Sequence, residues 1–124
     1  MASDLFRIHQ DRVPPDQLVQ VVELSLPQQL DSGEFDRLNQ LLLGAFAEQP
    51  DGRWVVDLSR SAYMGSPALG LMVNIWQQVK AGGGRLALCG LSSQLLRIFQ
   101  TCCLERLFVI TADRPAALKV VRRR

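Results

Sequence analysis

Apolar and polar positions alternate along this chain in two different rhythms. Leu5-Phe6-Arg7-Ile8 and then Leu18 through Leu26 are short, alternating or β-branched runs, separated by a stretch holding Pro14, Pro15 and Asp16. Period-two alternation bounded by proline and aspartate predicts two early strands joined as a hairpin. A helical rhythm starts at Asp31-Ser32-Gly33-Glu34, where Asp31 or Ser32 can cap and Glu34 suits the positive helix end. Phe35, Leu38, Leu42 and Ala45 then recur at helical spacing as far as about Glu48. Gln49-Pro50-Asp51-Gly52 breaks the chain, and Arg53-Trp54-Val55-Val56-Asp57-Leu58 follows. This apolar run has the character of a strand covered on both faces, the central strand of a parallel sheet.

After a loop through Ser59 to Met64, the series Leu69, Met72, Val73, Trp76 and Val79 describes one buried face of a second helix. Gly82-Gly83-Gly84 ends that helix, and Arg85 to Cys89 forms another strand. Ser92 or Ser93 caps a third helix carrying Leu95, Leu96, Phe99 and Cys103; Leu107 to Ile110 is a last strand, and Asp113 opens a short helix through Ala117 and Leu118. The order is ββαβαβαβα, an α/β fold. Such alternation calls for right-handed crossovers, hence a mixed sheet, mostly parallel, flanked by about four helices.

With 124 residues, 48% of them hydrophobic, the chain fits a single domain spanning 1–124. Folding at this size removes roughly two-thirds of the extended chain's surface from water, so the core needs no disulfide or metal. Fourteen Lys and Arg against twelve Asp and Glu leave a formal charge of +2, too balanced for a protein held to nucleic acid by many phosphate contacts. The longest central apolar run, Ala68 to Val73, is far short of the roughly 20 residues of a membrane span. With Asp4 and Arg7 near its start the chain does not read as carrying a secretory signal, and a cytoplasmic location is expected. Three cysteines, Cys89, Cys102 and Cys103, lack zinc-site spacing and read as reduced, mostly buried thiols, with Cys89 inert in its apolar strand and Cys102 and Cys103 at a helix end open to partial exposure. One histidine, His9, is too few for a metal centre or a paired nucleophile and base, so no catalytic residue, metal or cofactor is expected. His9 itself reads as a surface residue.

Ser66-Pro67 is the position that stands out. Proline suits the first turn of a helix, which places Ser66 at or next to the cap of the second helix. Two readings share that geometry. Ser66 is a helix cap, or it is an exposed hydroxyl where an added phosphate meets free backbone N–H groups. The three glycines sit after a helix and before a strand, the reverse of a phosphate-binding loop. Asp31 and Asp57, read at strand ends, are explained by capping and turns, and the terminal Arg122-Arg123-Arg124 by solvation.

The segments Trp54-Val55-Val56-Asp57-Leu58-Ser59, Tyr63-Met64-Gly65-Ser66-Pro67-Ala68-Leu69-Gly70 and Gly83 through Ser92 together resemble a STAS domain of the bacterial anti-sigma factor antagonist type. Leu30-Asp31 and Leu104 to Phe108 resemble the family's first-helix opening and closing segment, so the resemblance runs from about Val21 to Leu118. It implies a binding module rather than an enzyme. In such antagonists a serine at the start of the second helix is phosphorylated by an anti-sigma factor kinase, and the unphosphorylated form binds that kinase and frees its sigma factor. By motif, Ser66 is that serine; Asp31, Gly65, Ser66, Pro67, Ala68 and Leu69 are the implied contacts for an anti-sigma factor or sensor kinase of ATPase fold. A homodimer is left open. The family's usual Asp-Ser-Ser-Gly-Leu-Gly is here Gly65-Ser66-Pro67-Ala68-Leu69-Gly70, so the acidic neighbour is lost and proline replaces the second serine; Gln28 also stands where glycine is common. That departure motivates an alternative, a constitutive STAS scaffold subunit of a transporter or signalling assembly without a phospho-switch.

Overall fold

The computed structural model describes residues 5–14, 17–27 and 29–122. Five strands, β1 (Phe6–Val13), β2 (Gln17–Leu24), β3 (Arg53–Asp57), β4 (Arg85–Cys89) and β5 (Val109–Thr111), form one sheet in the order β1-β2-β3-β4-β5. β1 and β2 are antiparallel, and every later neighbour is parallel. Four helices, α1 (Ser32–Ala47), α2 (Ser66–Ala81), α3 (Ser93–Thr101) and α4 (Arg114–Val121), alternate with the strands in the expected ββαβαβαβα order.

The two faces of the sheet follow from residue parity. Val22, Val56, Leu88 and Ile110 are register partners across β2 to β5, and the next row back is Val21, Val55, Ala87 and Val109. Successive side chains point to opposite faces, so these rows face opposite layers. The first joins the main core with Leu38, Leu42, Met72, Ile75, Leu95 and Phe99 from α1, α2 and α3. The second, Val109 apart, forms a smaller cluster under Ala117 and Val121 of α4. Adjacent parallel strands added in one direction by right-handed crossovers put their connecting helices on one side, which explains the three-plus-one division.

Several expected details shift. β1 runs on to Val13, through His9, Gln10, Asp11 and Arg12, because β2 pairs with it along its whole length despite the missing apolar alternation. β2 ends at Leu24 rather than Leu26. Pro15, Asp16, Gln28, Arg123, Arg124 and Asp4 lie outside the described residues. In α1 the buried residues are Leu38, Leu42 and Phe46; Ala45 is only half-buried, and the Phe46 ring packs 4.0 Å from that of Trp54. In α2 the buried stripe is Leu71, Met72, Ile75 and Val79, so Leu69, Val73 and Trp76 lie on its flank. Ser92 caps α3, which ends before Cys103; Cys103 is exposed at φ 60° and leads into a 3-10 turn, Leu104–Arg106, so the last strand begins at Val109 instead of Leu107.

The end of α2 abuts the turn after α1. A Cβ on Gly82 would lie 2.0 Å from the Pro50 carbonyl oxygen, whereas one on Gly44, exposed in the last turn of α1, would meet nothing within 4 Å. Gly82→Ala should therefore destabilise the domain by about 1–3 kcal/mol through overpacking against backbone. Gly44→Ala should stabilise it by about 0.5–1 kcal/mol through helix propensity. Chemical denaturation of both variants, read as midpoint shifts of opposite sign, checks this contrast.

Candidate functional site

The helices α1 and α2 begin side by side, and a groove of about 710 Å³ opens between their first turns. Asp31 is the N-cap of α1, its Oδ1 accepting the Glu34 N–H at 2.7 Å. It therefore lies well past the end of β2 and is explained by capping, while Asp57 does end β3. The α1 side of the groove carries Asp31, Glu34 and Asp36 around the Phe35 ring. The α2 side is built from Tyr63, Gly65, Pro67 and Ala68.

Ser66 is not the cap. Gly65 holds that position in extended backbone (φ −85°, ψ −177°), Ser66 is the first helical residue, and no side chain caps the helix. Ser66 is exposed. The Leu69 N–H donates to the Gly65 carbonyl at 3.0 Å and opens the helical ladder, so the N–H groups of Gly65, Ser66 and Ala68 before it have no acceptor within the helix, and Pro67 has no N–H to give. The first turn holds no acidic residue, leaving the positive end of α2 uncompensated. The two lips of the groove thus differ in sign. Of the six expected contact residues, Asp31, Gly65, Pro67 and Ala68 line the groove together; Ser66 stands beside it, and Leu69 packs partly onto the core.

Ser61, which the sequence marks only as loop, fixes one wall. It is buried, its hydroxyl donates to the Leu24 carbonyl at 2.8 Å, and its Oγ accepts the Leu26 N–H at 3.0 Å. This one side chain ties the loop before α2 to the segment leading into α1, standing in for the β2 pairing that stops at Leu24. Its signal in sequence is weak, since a serine among loop residues has no distinctive pattern.

On the opposite face, a charged cluster docks α4. Arg114 Nη2 donates to Glu23 Oε2 at 2.5 Å and to Asp57 Oδ2 at 2.8 Å, and Arg114 Nη1 lies 3.4 Å from His9 Nε2. His9, expected on the surface, is half-buried there, 3.8 Å from Glu23. The Arg114 hydrogen bond is the main reason the Glu23 carboxyl sits below its usual range. Burial pushes Asp57 up, but the Ser59 N–H at 2.9 Å and Arg114 outweigh it, so its net shift is also downward. Gly90 (φ 76°) closes the other side; a Cβ there would fall 2.9 Å from Asp57 Oδ1. Burial pushes the neighbouring Cys89 thiol up to about 12, in keeping with an inert, protonated sulfur. Among the described residues no His, Cys, Asp or Glu group is placed to hold a metal ion, and no helix is long and apolar enough to cross a membrane.

A family model described as the STAS domain matches residues 13–117. Among solved structures, an anti-sigma-factor antagonist (STAS) domain protein from Planctomyces limnophilus superposes with a TM-score of 0.72 at 23% identity, covering 92% of this chain and 97% of that one. The Bacillus cell fate determinant SpoIIAA in its phosphorylated form gives 0.61 at 19% identity, covering 94% and 100%. The murine anion transporter Slc26a9 gives 0.69 at 9% identity, covering 94% of this chain and 22% of the transporter. At these identities the likeness is one of fold.

Two outcomes check the site's supports. Ser61→Ala leaves the Leu26 N–H without its acceptor and should cost about 1–3 kcal/mol in denaturant unfolding. Arg114→Met should cost about 1–2 kcal/mol at neutral pH, between the figures for exposed and buried ion pairs. Because Glu23 and Asp57 are held below their unfolded-state values, their stabilisation is complete above those values, about 4, and is lost as pH falls through the folded-state ones. Stability of the parent protein should fall on acidification below about pH 5 more steeply than that of Arg114→Met, as unfolding midpoints across pH will read.

Proposed function

From the premise that the chain belongs to the STAS domain family, we propose that it is a non-enzymatic, cytoplasmic regulatory module, an anti-sigma factor antagonist that works by partner switching, with Ser66 as its phosphorylated residue. The observation that carries this reading is the exposed Ser66 at the uncapped, acid-free start of α2, beside a groove whose far lip is acidic. Such a groove suits a partner surface with one acidic group for the α2 lip and basic groups for Asp31, Glu34 and Asp36. An anti-sigma factor or sensor kinase of ATPase fold is the partner in this reading. A phosphate on Ser66 brings about −1.5 to −2 charge and several acceptor oxygens. It takes up the free N–H groups of the first turn and turns the positive lip negative, so the partner's acidic group loses its place.

A second reading is favoured by the likeness to the transporter's STAS region and by Gly65 and Pro67, which remove the usual neighbours of a family phosphosite. There the same domain packs constitutively within a transporter or signalling assembly and Ser66 stays unmodified.

Binding to ATPase-fold regulators from the same cell, with Ser66 unmodified, separates the two. Ser66→Ala should keep parental affinity, and Ser66→Asp should weaken binding about tenfold or more. The same Ser66→Asp change should raise fold stability by about 0.3–1 kcal/mol, because an acidic residue in the first turn compensates the helix end. Phosphopeptide mapping of protein from its own cells should find a condition-dependent phosphate on Ser66. Equal binding by parent and Ser66→Asp, with no phosphate found, supports the scaffold reading.

A further inference from the structure

A second charged feature lies where the parallel strands begin, at the end of the sheet away from the groove. Arg53 and Arg85 are the first residues of β3 and β4 and are register partners, so both side chains leave the same face of adjacent strands, about 4.8 Å apart. Two residues further on, Val55 and Ala87 carry that face under α4. Like charges side by side in a sheet repel. Among the described residues neither arginine is in an ion pair. Arg53 is half-buried, and its Nε is enclosed with no hydrogen-bond partner. Arg85 is exposed, and its Nη1 donates over 3.4 Å to the Arg122 carbonyl at the end of α4. Among the described residues that carbonyl is the one acceptor this pair of guanidiniums has, and it leaves the double positive charge in place.

We propose that Arg53 and Arg85 form an oxyanion site that takes a phosphate group, separate from the Ser66 groove. A phosphate between the two guanidiniums cancels their repulsion and accepts hydrogen bonds from their terminal N–H groups in the paired geometry that planar guanidinium forks favour. A dianion with several acceptor oxygens suits two adjacent cations better than one carboxylate does. The phosphate belongs to a soluble phosphate compound or to a lipid headgroup, and the chemistry of recognition is common to both.

Calorimetric titration of the full chain with sodium phosphate in low-salt chloride buffer tests the site. Saturable binding of one phosphate per chain is expected, weakened about tenfold or more by Arg53→Gln or Arg85→Gln. Arg97→Gln, on the exposed side of α3, should leave it unchanged. In chloride, Arg85→Gln should melt no lower than the parent, because it relieves repulsion, and added phosphate should raise the melting temperature of the parent alone. Sedimentation with phosphatidylglycerol vesicles, reversed by free phosphate and lost in Arg85→Gln, identifies a headgroup as the source; phosphate binding without vesicle binding identifies a soluble compound. Absence of saturable binding to both probes overturns the proposal. So does equal weakening by Arg97→Gln, which would mark a diffuse charge effect.

Discussion

The division of side chains between the two faces of β2, β3 and β4 is the constraint on which the rest of the structure depends. Each strand is too short to choose its neighbours by backbone pairing alone, since parallel ladders differ little from one register to the next. What distinguishes the registers is burial: a slip of one residue would send Val22, Val56 and Leu88 toward α4 and bring Val21, Val55 and Ala87 under three helices. The volumes do not allow the exchange. Ala87 faces the single short helix α4, while Leu88 faces the side where Trp54, Phe46, Met72 and Phe99 fill the main core. Once that parity is set, the ends of the strands are set too, and with them the starts of α1 and α2 whose meeting makes the groove.

The same parity explains where the charges collect. Glu23 and Asp57 stand one step beyond Val21 and Val55 on the α4 face, at the carboxyl ends of their strands, where the apolar cover runs out. Two carboxylates there need a cation, and Arg114 in the first turn of α4 supplies it to both. At the other end of this face Arg53 and Arg85 stand two residues before Val55 and Ala87, and no carboxylate pairs with them among the described residues. One face thus has a closed electrostatic cluster at one end and an open one at the other. The contrast directs attention to the open end for a ligand, and to the closed end for the anchoring of α4.

Much of this was legible in the residues, for identifiable reasons. The element order could be read because glycine and proline punctuate it at Pro50, Gly52 and Gly82 to Gly84 and because Val55-Val56 and Leu86 to Cys89 are apolar on both faces. Asp31 or Ser32, Ser92 or Ser93, and Asp113 declare three helix starts by side-chain chemistry, and the caps are Asp31, Ser92 and Asp113. β1 was less legible, since the strand is held by β2 and not by its own polar residues His9 to Arg12. The start of α2 is legible to within one residue: Pro67 puts Ser66 at or next to the cap, and the backbone turns at Gly65, with Ser66 beside it as the first helical residue. Asp31 and the Gly65 to Leu69 segment could be named from motif order, but the convergence of Asp31, Gly65, Pro67 and Ala68 on one groove, the role of Ser61 and the Arg114 bridge join residues 34 to 91 positions apart. No local pattern encodes contacts at such separations.

The position of Ser66 gives the proposed switch its economy. Ser66 is exposed, accepts no capping bond and lies at a helix end already lacking a counter-charge, so adding a phosphate there asks nothing of the packed interior. A phosphate on a buried or capping serine would have to break a bond that holds the fold, and its effect would spread as destabilisation. At the first helical residue the modification instead satisfies N–H groups that were waiting for an acceptor, and the fold is stabilised as the surface changes sign. In the proposed switch binding and stability therefore move in opposite directions under the same change. That opposition distinguishes a surface switch from a simple loss of structure, and it follows from Gly65, not Ser66, being the cap.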